Sequence, residues 1–472
     1  MSQKNETVIL VLSLAVTLAL VAAGLWWYAS YNRMKLGGLA GNQNSPGEAT
    51  SQQSARSVEQ RMSAGERLLI SIGATPEKQS AVKAIASRNY GEAVSNLEAS
   101  LKSNRNDPEA LIYLNNARIG NGKSYMIAAC VPIGSNLNAA QEILRGIAQA
   151  QNEINQAGGI NGVPLKVLIA DDGNDSEVAK QVAATLTKNP EVLGVVGHYA
   201  SDVTLATADT YESGKLVVIS PISTSVKLSG RSSYVFRTIP SDYVSARALA
   251  DYMLQKLKHE KAVVFYNSKS GYSQSLKSEF VTAVSLGGGQ VVNEFDLSNP
   301  NFNAAESVNQ SIQTGAQALM LAVDTSTLDK ALQVVQVNGK RLAILGGDDV
   351  YTPKTLQLGG LAAEGMVLAI PWHILGNPQA KFPKVANQLW GGEVNWRTAM
   401  AYDASQGLIA AIEQSPSKTG VQQALLAPNF AAQGASGAIR FLPSGDRNQG
   451  VQLVEIVRGA RTGFGYDFVP LP

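Results

Sequence analysis

Val192–Ser225 reads VLGVVGHYASDVTLATADTYESGKLVVISPISTS. Two apolar runs, Val192–Val196 and Leu216–Ile219, have the length of buried strands, and Ser201–Tyr211 between them reads as a helix. Each predicted strand ends in a polar turn, GHYAS after the first and SPISTS after the second. In a doubly wound α/β sheet such turns lie at the carboxyl edge of the strands, where ligands bind. The first amides of a helix have no partner inside it, and Ser201 stands where a capping side chain belongs. Those amides, with the hydroxyls of Ser201, Ser223 and Thr224, make a candidate cradle for a small anion such as a carboxylate.

Working outward, the same alternation continues from Lys123. Predicted strands are Tyr125–Val131, Leu165–Ala170, Val192–Val196, Leu216–Ile219, Ala262–Tyr266, Gln290–Phe295, Ala318–Val323, Leu342–Leu345 and Met366–Ile370. Amphipathic runs at Ala139–Asn155, Ser176–Thr187, Val244–Lys258, Ser273–Leu286, Ala304–Thr314 and Thr327–Asn338 predict helices between them. Right-handed strand–helix–strand crossovers build parallel sheets, so this region is α/β. Its length, roughly 350 residues, suits two lobes.

The sequence before Lys123 is different. Thr7–Tyr31 is almost uninterrupted apolar sequence ending in Trp26, Trp27, Tyr28 and Tyr31. Roughly 20 apolar residues span a bilayer, and Trp and Tyr settle at its interface. The long apolar core and the following Arg33 and Lys35 favour an uncleaved transmembrane anchor over 1–35 rather than a cleaved signal. Residues 36–60 are rich in Gly, Ser, Gln and Asn and read as a flexible tether. Residues 61–120 read as helical, beginning with the amphipathic run RMSAGERLLISIG. The spacing of apolar residues, the small Ala93 and the helix start at Asp107-Pro108 resemble a tetratricopeptide repeat. The resemblance covers one to one and a half repeats, whereas a solenoid needs three or more. A helical spacer packed on the main domain, or a piece that pairs with another chain, is the expectation.

Composition narrows the function. The 472 residues carry a formal charge of +2, and 16% are charged. Without a basic stripe, no nucleic-acid partner is expected. Cys130 is the single cysteine, so no internal disulfide can form. His198, His259 and His373 are far apart and lack neighbouring cysteine pairs, which argues against zinc. Asp171, Asp172 and Asp175 do not follow the EF-hand pattern. No nucleophile elbow or phosphate-binding P-loop occurs, and neither an enzyme nor a cofactor is expected.

The ordered series VPIGSN, INQAGGINGVPLKVLIADDGND, VVGHYAS, VISPISTS, YVFRTIPSD, GYSQSLKSEF, ILGGDDVY and AAEGM resembles the type I periplasmic binding proteins, in particular their leucine/isoleucine/valine-binding branch. The resemblance runs from about Ser124 to near the C-terminus. It implies two Rossmann-like lobes joined by a three-crossing hinge, lobe one at about 123–242 and 372–445, lobe two at about 243–371 and 446–472. It implies an amino acid or analogue as ligand. Its α-carboxylate would be held by Ser201, the backbone at Ile222, and Thr224. Tyr272 would close over it, and Asp348 would take the α-ammonium. Asp324 stands where the branch commonly has an aromatic hydroxyl, and Asn136 where a residue often touches the ligand side chain. Two carboxylates there would suit a polar or cationic amino acid, or an amide. His198 borders the cleft and is either a ligand contact or a turn residue. Arg237 and Asp242 would fix the first hinge. The implied role is that of a membrane-tethered, extracytoplasmic binding protein serving ABC permease subunits. The alternative is a sensor or assembly protein acting on a partner through 61–120.

Overall fold

The computed structural model describes residues 57–472. The expected anchor at 1–35 and most of the expected tether lie outside the described residues. Among the described residues, no helix is long and apolar enough to cross a membrane.

The described chain opens with β1 (Met62–Ser63) and three helices, α1 (Pro76–Ala86), α2 (Tyr90–Ser103) and α3 (Pro108–Ile119). Thr75, Asn89 and Asp107 cap these helices with their side chains, and Pro leads α1 and α3, where its missing N–H costs nothing. Next come β2 (Tyr125–Val131), α4 (Leu137–Gln156), β3 (Leu165–Asp171), α5 (Ser176–Lys188), β4 (Val192–Val196), α6 (Ser201–Ser213), β5 (Val218–Ser220) and β6 (Val235–Arg237). These form lobe one.

Lobe two begins at α7 (Asp242–Asp251), which runs into a π-helical turn, Tyr252–Lys256. It continues through β7 (Lys261–Tyr266), α8 (Gly271–Leu286), β8 (Gln290–Asp296), α9 (Ala304–Gln313), β9 (Ala318–Ala322), α10 (Leu328–Asn338), β10 (Ala343–Gly346), α11 (Pro353–Ala363) and β11 (Val367–Ile370). The chain then returns to lobe one for α12 (Lys381–Trp390), α13 (Trp396–Gln414), α14 (Lys418–Leu426) and the short strands β12 (Ala432–Gly434) and β13 (Gly437–Ile439). It finishes in lobe two with β14 (Gln452–Arg458) and β15 (Tyr466–Pro470).

The lobe-one sheet has the order β1-β3-β2-β4-β5-β6, and the lobe-two sheet β15-β14-β11-β10-β9-β7-β8. β2 to β6 are parallel, as are β7 to β11; β1, β14 and β15 pair antiparallel. The order reverses direction at β2 in the first sheet and at β7, next to the edge strand, in the second, and turns leaving the carboxyl edges at such points meet ligands in these folds.

One expectation fails before β2. The run at 61–73 is not helical. Gly65 has φ 136°, a conformation that favours glycine. The amides that a helix would use go elsewhere: Gly65 and Arg67 donate to Ser63 Oγ, and Leu69 and Ile70 to the Glu109 carboxylate. The helices that follow are built into lobe one. Asn116 on α3 donates to the carbonyls of Ala64 and Val167 and accepts from Val167 N–H. Lys78 is buried with its ammonium 2.7 Å from Asp107 and 2.8 Å from Glu109. Burial disfavours that charge, but Glu109 and Asp107 outweigh it and hold the Lys78 pKa above the usual range.

Helices α4 and α13 cross closely because Gly146 has no side chain. A Cβ there would lie 2.2 Å from the Thr398 carbonyl oxygen. This contact fastens the returning helices of lobe one to the helix that follows β2.

Candidate functional site

Turns from both sheets converge on a cavity of about 270 Å³. Lobe one lines it with Ser135 and Asn136 after β2, Asn174 after β3, Tyr199 to Asp202 after β4, and Ile222 after β5. Lobe two adds Ser270 and Tyr272 after β7, Asp324 to Ser326 after β9, and Asp348 and Asp349 after β10. A roomier hollow of about 1020 Å³ lies at the hinge, between the π-helical end of α7, Pro371–Trp372 and Gln449–Leu453. Size alone would favour it. The smaller cavity is the better candidate because the carboxyl edges of both sheets face it and charged groups converge there.

On lobe one, α6 starts at the cavity wall. Ser201 is not its cap: Ala200 occupies the cap position, without a side-chain bond, and Ser201 is the first helical residue. The Ser201 hydroxyl instead accepts the Ser225 N–H at 3.2 Å, tying the two turns together. The opening amides of α6 still lack partners within the helix and carry the positive end of its dipole. Asn136 lines the cavity while capping α4 through the Ala139 N–H at 3.1 Å.

Three residues expected at the ligand stand behind the wall rather than on it. Ser223 is buried, its hydroxyl 2.8 Å from Thr204 Oγ1. Thr224 is buried, and its carbonyl accepts the Asp242 N–H at 2.9 Å. His198 is fully buried, with Nδ1 2.6 Å from Asp172 Oδ2 and Nε2 2.9 Å from the Tyr211 hydroxyl. Of its two open readings, the turn residue is the one the geometry supports. All three brace the turns that Ser201 and Ile222 present.

On lobe two, the Tyr272 hydroxyl donates to Asp348 Oδ1 at 2.5 Å. Burial, then the neighbouring Asp349, push the Asp348 carboxyl up to about 7, against the pull of the Tyr272 hydrogen bond and Arg397. Asp242, behind Tyr272, is likewise raised to about 7, chiefly by burial. Asp324 lines the cavity and accepts from Asn267 at 3.0 Å, Ser326 at 3.0 Å and Thr327 at 2.9 Å.

The lobes also touch one another directly. Arg397, from α13 of lobe one, meets Asp349 of lobe two at 2.8 Å, nearly out of water. The Tyr199 hydroxyl is 2.9 Å from Thr325 Oγ1 and donates to Asp349 Oδ1 at 3.3 Å. Gly271 N–H donates to Asp202 at 2.8 Å, and Val226 N–H to Ser275 Oγ at 3.0 Å. Sequence reading missed Tyr199 and Arg397. Tyr199 lies within the GHYAS turn and was findable; Arg397 comes from a distant helix and carried no local signal.

Chemically, the cavity offers the opening amides of α6 on one wall and, on the other, a buried carboxyl whose hydrogen-bond donor, Tyr272, carries no charge. That arrangement holds a small molecule with an anionic and a cationic end. Among the described residues, no cluster of three or more His, Cys, Asp or Glu side chains is arranged to hold a metal ion.

Comparison with known proteins places this geometry. The profile of a family described as periplasmic binding protein matches residues 127–462. An amino acid binding protein of Pseudomonas aeruginosa is 33% identical over 144 residues, covering 30% of this chain and 38% of that protein. A leucine-, isoleucine-, valine-, threonine- and alanine-binding protein of the same organism is 27% identical over 239 residues, 50% of this chain and 63% of that protein. The matched regions thus span less than two thirds of either relative. Among solved structures, an ABC transporter substrate-binding protein from Desulfitobacterium hafniense is 25% identical with a TM-score of 0.63, over 74% of this chain and 100% of that one. With well over half of its length matched by the family profile, the chain belongs to the periplasmic binding protein family.

Proposed function

We propose that the chain is the membrane-tethered, extracytoplasmic substrate-binding component of an ABC-type amino-acid importer. The ligand is an amino acid or a related small zwitterion. Its carboxylate lies on the first amides of α6, with Ser201 and the backbone at Ile222. Its ammonium lies on Asp348, and Tyr272 closes over it. The observation that carries this reading is the pairing of a helix N-terminus on one lobe with a buried carboxyl on the other, across one gap. Contacts on lobe two form only when the lobes approach, so ligand favours the closed arrangement through differential affinity. The names of the relatives in Pseudomonas aeruginosa are in keeping with an amino-acid ligand.

Native mass spectrometry of the full chain against a panel of amino acids tests the proposal. At least one amino acid should be retained, one per chain. Asp348→Ala should weaken it by about tenfold or more, since a charged hydrogen bond contributes roughly 1.5–3 kcal/mol. Retention of none, or unchanged affinity in the variant, removes Asp348 and the reading with it. The alternative, a receptor acting on a partner through 61–120, draws on that segment lying outside the matched residues. Co-purification separates the two: permease subunits support import, an unrelated partner supports sensing.

A further inference from the structure

We infer that the cleft selects an amino acid of net positive charge, one whose side chain ends in an amine or guanidinium, over a neutral aliphatic one. This rests on the amino-acid reading above and names the ligand class within it.

The charges around the cavity do not balance. Its lining includes Asp202, Asp324, Asp348 and Asp349, and no Lys, Arg or His. Each carboxylate has a different fate. Asp349 is neutralised by Arg397 at 2.8 Å. Asp202 is exposed at the rim, where water screens it, and accepts the Gly271 N–H. Asp348 takes the α-ammonium. Asp324 is left: Asn267, Ser326 and Thr327 give it hydrogen bonds, but none of them carries a charge.

Position makes Asp324 the selecting group. It lies two residues beyond β9, and Asp348 lies two residues beyond β10. These strands are parallel neighbours with Leu321 beside Gly346. Adjacent strands are about 4.8 Å apart, so a ligand held by its ammonium at one carboxylate extends its side chain near the other. The remaining wall points the same way. Ser135, Asn136 and Ser326 are polar, and Asn174 Oδ1 is a buried acceptor with no donor. An aliphatic side chain would leave Asn174 Oδ1 without a donor and Asp324 without a counter-charge, whereas an amine or guanidinium brings both N–H donors and positive charge.

Calorimetry on the full chain with arginine, lysine and ornithine, against leucine, valine, glutamine and glutamate, decides the matter. The basic amino acids should bind at least about tenfold more tightly than leucine, a difference of about 1.4 kcal/mol. Raising the salt concentration should narrow the gap. Asp324→Asn should shrink the arginine-to-leucine affinity ratio by about tenfold. Tightest binding of leucine, valine, glutamine or glutamate, or an undiminished ratio in the variant, overturns this inference and leaves the amino-acid reading standing. Binding of no amino acid overturns both. Should Asp324→Asn not fold, the order of affinities measured on the unaltered chain still upholds or overturns the inference.

Discussion

At the scale of single residues, Asp348 and Asp242 lead the pH response, with Asp403 acting in the same sense and His373, lowered to about 4 by burial, in the opposite one. The Asp348 and Asp242 carboxyls are both raised from 3.8 to about 7, mainly by burial. A carboxyl whose folded value lies above its unfolded value binds more protons in the folded state between those two values. Stability of the ligand-free protein therefore falls as pH rises from about 4 to about 7, by up to about 1.4 kcal/mol per pH unit for each group. Thermal unfolding of the ligand-free chain should show a higher midpoint at pH 5.5 than at pH 7.5, and Asp348→Asn should flatten the trend. Ligand affinity should run the other way, rising toward pH 7 as Asp348 ionises, because an ammonium needs the charged form. The groups around Asp348 that bear on this are Asp349, Asp242, Tyr272 and Arg397. Much of this cluster was legible in the chain. Asn136, Ser201, Ile222, Tyr272, Asp324 and Asp348 all come to one cavity. Ser223 and Thr224 were expected at the ligand and stand behind the wall, and the choice for His198 stayed open, because sequence locates a turn but not which of its layers faces inward.

At the scale of elements, periodicity was read as far as Asn338, and the helices of the last return to lobe one went unmarked. Helix α13 is buried almost all the way round, from Trp396 through Ile412, so it has no amphipathic period to detect. The run at 61–73 failed in the opposite sense: its pattern was amphipathic, but Gly65, Ser63 and Glu109 drew its amides away from helical bonding. Two substitutions test how these elements are joined. Lys78→Met leaves Asp107 and Glu109 buried without their cation, and breaking a buried pair in this way costs roughly 3–5 kcal/mol. Urea unfolding should register that loss in one cooperative transition, because α1 to α3 share the core of lobe one. Two separated transitions would show the segment to be an independent unit. Gly146→Ala should lower the unfolding midpoint, since its new methyl meets the backbone of Thr398 and Tyr402 and forces α4 from α13.

At the scale of the whole molecule, the hinge and the contacts between lobes govern closure. The Tyr199 hydroxyl binds Thr325 and Asp349 across the gap without belonging to either end of the expected ligand. Tyr199→Phe keeps the ring and removes both contacts, each contributing about 0.5–1.5 kcal/mol. Ligand affinity should drop severalfold, and small-angle scattering of the saturated variant should give a larger radius of gyration than the parent. Equal radii and equal affinities would show that these bonds do not help hold the lobes together. The two-lobed plan was readable in outline because each strand–helix alternation repeats a local signal. The cross-lobe contacts were not, since Arg397 and Asp349 are brought together by the last return of the chain.

The short strand β1 lies along β3, Met62 beside Ala170 and Ser63 beside Ile169. The start of the described chain is therefore moored to lobe one, while lobe two is held by the crossings of the chain and the contacts across the gap. On the proposed function, capture of a solute would swing lobe two as a free jaw against a stationary one, and a partner would read occupancy as the position of that jaw, like the arm of a semaphore.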